Sequence, residues 1–147
     1  MIPRAALVLG LAGLIPFAWG AASAANPTLA GISVTVFGPE LWGVWMILDY
    51  GIVILSFMSG VLWGFATRAT ARAWVWYGLS VLPALWVFLG LRGETDSRLL
   101  ALAAGYLGLL GLDFAFWRAG LTPPWWMRLR LILTAGVLVS LGFGLYL

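Results

Sequence analysis

The sequence predicts an all-α integral membrane protein, a bundle of five transmembrane helices with the N-terminus cytoplasmic and the C-terminus outside. Three observations predict it. First, 63% of the residues are hydrophobic and only 9% charged, with a mean hydropathy of +1.04, whereas a soluble domain carries about a quarter charged residues. Second, the few charges divide the chain into five apolar runs of spanning length. At 1.5 Å per residue, a helix needs about 20 residues to cross roughly 30 Å of hydrocarbon. Third, none of these runs alternates polar and apolar residues as a barrel strand would.

The spans fall at residues 5–25, 41–67, 73–91, 99–117 and 128–147, within a single domain covering 1–147. The first follows a short basic head, Met1–Arg4, and ends at Ala22-Ser23-Ala24, which has the small-x-small form of a signal-peptidase site. We expect it to be retained as a span. Residues 26–39 form the longest outside connection, in which the alternating stretch 32–37 suggests a short extended piece. The second span contains one charge, Asp49, and the fourth contains Asp113. Thr122-Pro123-Pro124 makes the turn before the last span, which is short unless it begins near Trp126 with Arg128 and Arg130 snorkelling to the surface. Short loops imply that successive helices are neighbours.

Arginine placement sets the orientation. All eight basic residues are Arg, giving a pI near 10. Arg4, Arg68, Arg72, Arg118, Arg128 and Arg130 lie on one side, whereas Arg92 and Arg98 lie on the other beside Glu40, Glu94 and Asp96. Six against two places the first group in the cytoplasm. This balance argues for membrane orientation rather than nucleic-acid binding, and no nucleic-acid partner is expected.

The absence of Cys and His removes thiolate and imidazole metal sites and the nucleophile–base pairs built on them. No catalytic residues and no metal site are therefore predicted, and the chain is expected not to be an enzyme. Cofactor-binding residues remain unassigned. No cofactor is predicted, although ten Trp leave room for a bound lipid or pigment. Trp42, Trp45, Trp74, Trp76, Trp117, Trp125 and Trp126 cluster at helix ends, where indole rings anchor at the headgroup level, and only Trp19, Trp63 and Trp86 fall elsewhere.

Small residues are the second signal. Ser56, Gly60 and Gly64 recur every four residues in the second span, next to Trp63, and Gly136, Ser140 and Gly144 repeat the device in the fifth. Such stripes let backbones approach closely where lipid supplies no hydrophobic drive. They are expected to pack inside the bundle or against a partner subunit. Asp49 shares the stripe of Val53, Ser56 and Gly60. An Asp at the bilayer centre costs about 2.5–3.5 kcal/mol on insertion scales, so Asp113 is expected to pair with Arg118, Arg128 or Arg130 near the cytoplasmic surface.

Several segments resemble the domain-of-unknown-function family that includes transmembrane protein 69. They are Gly10-Leu-Ala-Gly-Leu-Ile-Pro-Phe17, then Tyr50-Gly51 with Ile54-Leu55-Ser56-Phe57, Gly60 and Trp63-Gly64, then Ser80-Val-Leu-Pro83, Asp113, and Trp126 with Arg128-Leu-Arg130 and Thr134. The resemblance covers nearly the whole chain, and the second-span motif is its most specific part. It implies a bacterial inner-membrane or mitochondrial protein without an established activity. The family often places His or Arg immediately before the Trp-Gly pair, where this chain has Leu62. A polar role there is absent or moved to Asp49.

The expected function is a non-enzymatic accessory subunit or assembly factor of a larger bacterial inner-membrane complex, respiratory or photosynthetic, with membrane lipids and other integral membrane subunits as partners. The alternatives are a small transporter or channel component using Asp49 or Asp113, and a Trp-lined binder of lipid, quinone or tetrapyrrole.

Overall fold

The computed structural model describes residues 1–147 and contains seven helices and no strand. They are α1 (Arg4–Ala12), α2 (Ile15–Ala25), α3 (Pro27–Phe37), α4 (Gly43–Ala66), α5 (Ala73–Gly90), α6 (Thr95–Arg118) and α7 (Trp126–Tyr146). Five segments are long and apolar enough to cross a membrane: α1 with α2, then α4, α5, α6 and α7.

The first span is broken rather than continuous. Pro16 has no N–H to return to Ala12, and the chain tightens at Gly13–Leu14, where Leu14 N–H bonds to Leu11 O at 2.9 Å. The connection at 26–39 differs from its expected extended form, because residues 32–37 belong to α3. Asn26 Oδ1 accepts from the N–H groups of Thr28 and Leu29 at 2.9 and 3.4 Å, and Pro27 occupies the first turn with its φ already helical. That cap outweighs the β-branched alternation. The hydroxyl of Ser33 links α3 to its surroundings. It accepts from Trp19 Nε1 at 3.0 Å and donates to Leu41 O at 2.6 Å.

The remaining helices pack around α4, which touches α2, α5, α6 and α7. Its inward face carries Ile47, Leu48, Leu55 and Leu62, all fully buried. Glycine sets the distance to two neighbours. A Cβ on Gly20 would sit 2.6 Å from Ile47 Cγ1 and 3.0 Å from Gly43 O, and one on Gly51 would sit 2.6 Å from Leu102 Cδ2. Gly43 itself turns with φ +55° and donates its N–H to Ser23 Oγ at 2.9 Å. In α5, Pro83 lies inside the helix, and the adjacent Ala84 N–H donates to Ser59 Oγ on α4 at 2.9 Å. A hydroxyl from the neighbouring helix thus partners a backbone group beside the helix-breaking ring.

Candidate functional site

Asp113 and the first turns of α7 form the polar centre of the bundle. Asp113 is completely buried, and both carboxylate oxygens are engaged. Arg130 Nε donates to Oδ2 at 2.7 Å, and Trp126 Nε1 donates to Oδ1 at 2.8 Å. Arg130 and Trp126 stand four residues apart on α7, about one turn, so a single helix face presents both donors to α6. Of the three candidate arginines, Arg130 is the partner, in the only ion pair of the chain, whereas Arg118 and Arg128 are exposed. The pair does not snorkel, because Arg130 is 4% exposed and Asp113 0%. A guanidinium and a carboxylate sealed together carry no net charge.

Tyr106 and Thr134 complete this centre, and sequence reading singled out neither as a site residue. Tyr106 donates its hydroxyl proton to Gly51 O at 2.8 Å, tying α6 to α4. Thr134, one turn beyond Arg130, is buried with its Oγ1 unpartnered. Their signal in the sequence was that polar side chains inside a span must face protein, and for Thr134 also its place in the motif with Trp126 and Arg130.

The two small-residue stripes have different surroundings. On α7, a Cβ at Gly136 would lie 2.7 Å from Leu14 Cδ1, Ser140 is buried, and Gly144 lies against Leu99. On α4, nothing of the chain lies within 4 Å of a Cβ on Gly60 or Gly64. Of the two packings expected for the Ser56, Gly60 and Gly64 stripe, inside the bundle or against a partner subunit, the first is therefore corrected: the chain's own helices do not cover the two glycines. At roughly 100° per residue, Gly60 lies about 140° round the helix from Leu55, and the inward face is the one built on Gly51 and Leu55. Trp63 is half-exposed and packs against Tyr77 with centroids 4.6 Å apart and ring planes tilted by 53°.

Asp49 lies on the same outward face, exposed and without an ion pair. It stands on the opposite side of α4 from the buried Leu62, roughly 20 Å away along the axis. It therefore does not take over a polar role at that position. The three Trp outside the terminal clusters have local tasks: Trp19 donates to Ser33, Trp63 packs against the Tyr77 ring, and Trp86 Nε1 donates to Ala101 O at 2.7 Å. They do not line a common pocket. Nowhere are three or more metal-ligating side chains gathered.

Comparison with known proteins agrees with a membrane protein. The family model described as "Protein of unknown function (DUF3429)" matches residues 2–146. Transmembrane protein 69 of Xenopus tropicalis is 35% identical over 144 residues, covering 95% of this chain and 53% of that protein. The chain thus spans about half the length of the curated relative it matches. No solved structure matches it.

Proposed function

The chain belongs to the DUF3429 family of membrane proteins, and from that premise we propose that it is a non-enzymatic accessory subunit or assembly factor docked on a larger complex of the bacterial inner membrane. The observation that carries this reading is the outward face of α4. Ser56, Gly60 and Gly64 form a close-approach stripe whose two glycines the chain itself leaves uncovered, and Asp49 projects on the same side without a cation.

Lipid tails gain little from a groove of small residues, whereas another helix gains close backbone contact. A charge inside a span normally faces protein or water. The matching occupant is therefore a membrane helix of the complex that carries Arg or Lys at the depth of Asp49.

The orientation belongs to the same proposal. Arg4, Arg68, Arg72, Arg118 and Arg128 are all exposed and lie on the side read as cytoplasmic. Arg130 is buried in its pair with Asp113 and is not among the exposed arginines of that side. A reporter joined after Leu147 is expected to be active only outside the cytoplasm.

The test is extraction in a gentle detergent followed by native sizing. The proposal expects comigration with a complex several times the mass of the chain. Migration as an isolated chain, or as an oligomer of this chain alone, would overturn it. A transporter reading draws no support from Asp113, whose two oxygens are occupied and shielded.

A further inference from the structure

A cavity of about 170 Å³ lies beside Arg130, the partner of Asp113, between α1, the start of α2, α4, α6 and α7. Two of its lining side chains carry buried polar atoms that no protein group satisfies, Arg130 Nη2 and Thr134 Oγ1. Their residues are only 4% and 2% exposed. Tyr106 also lines the cavity, but its hydroxyl is committed to Gly51 O. Leu9 on α1 and Phe57 on α4 line it as well and are 72% and 63% exposed, so they flank a mouth that opens sideways toward lipid.

These features define the chemistry of an occupant. Buried donors without partners call for an acceptor, and an Arg side chain can only donate. The carboxylate 2.7 Å from Arg130 Nε cancels the guanidinium charge, leaving no net charge to offset the burial of an anion. An apolar cavity of about 150 Å³ accepts benzene, so this one has room for a single ring. We propose that the cavity binds the carbonyl oxygen of a lipid-soluble molecule. The oxygen accepts from Arg130 Nη2 and the Thr134 hydroxyl, and the apolar tail leaves between Leu9 and Phe57. A quinone-type ring carbonyl fits the volume best, and the ester carbonyl of a glycerolipid shares the same chemistry. No electron transfer is part of the proposal.

The experiment uses the full chain in detergent micelles, with a decyl-substituted benzoquinone in equilibrium dialysis and dioleoylphosphatidylglycerol as the second probe. Replacing Arg130 would strand Asp113 and disturb folding, so the informative variant is Thr134→Val, which keeps the shape and loses the hydroxyl. Val137→Phe, which fills the cavity, is the second variant. The expected result is saturable binding of one quinone per chain, weakened about fivefold by Thr134→Val at unchanged melting temperature and abolished by Val137→Phe. Retention of the glycerolipid instead, with the same response to both variants, would support the carbonyl site and assign it to the ester. If neither probe is retained, or if Thr134→Val binds as the wild type does, the proposal is overturned and the cavity holds water alone.

Discussion

The contact of α7 with its neighbours and the outward face of α4 are built from the same parts. Each has three small residues at four-residue spacing, and each has an acid nearby inside a span. On α7 both parts are covered by the chain. Leu14 closes over Gly136, Leu99 over Gly144, and Asp113 receives Arg130 and Trp126. On α4 neither is covered: Gly60 and Gly64 have no neighbour, and Asp49 has no cation. The difference shows that small residues at four-residue spacing do not by themselves say whether the chain covers that face.

The largest expected effect comes from the covered acid. Asp113→Asn leaves the Arg130 guanidinium buried without its counter-charge, a loss of about 3–5 kcal/mol for buried pairs. It should lower the melting temperature in detergent sharply, whereas Asp49→Asn should leave the chain's own melting temperature unchanged. Equal losses for the two variants would erase the distinction between the faces.

Next comes the covered stripe. Gly136→Leu must displace Leu14, at a cost of about 1–3 kcal/mol for overpacking, and thermal unfolding of the purified chain reads it. A smaller loss, about 1.5 kcal/mol, is expected for Trp126→Phe, which keeps the ring but removes the indole donor to a charged acceptor. Comparing it with Asp113→Asn and the double variant separates the contribution of the indole from that of the ion pair.

Much of this architecture was legible before the structure. The charge punctuation located the five spans, and the cost of an intramembrane carboxylate narrowed the partner of Asp113 to three arginines on the same side. Arg130 is the one that a single turn places beside Trp126. The orientation of the stripes was not legible, for a physical reason. A soluble helix reveals its inner face by amphipathicity, but a spanning helix is apolar all round, so period alone says which residues share a face and not which face is covered. The helix α3 was missed because Ile32–Phe37 alternates locally, while Asn26 and Pro27, which start the helix, lie outside that window. Tyr106 was passed over, and Thr134 was noted only within the family motif, because a lone hydroxyl in a span has no spacing partner to announce its role.

The most direct test of the central claim, that the outward face of α4 is a docking surface, is Gly60→Leu. Its thermal unfolding as a purified chain and its native size in a gentle membrane extract would be measured together. No other helix lies within 4 Å of a Cβ at that position, so the account predicts a melting temperature within error of the wild type and loss of comigration with the larger complex. A variant that still comigrates at full strength, or one that unfolds as Gly136→Leu does, would contradict it.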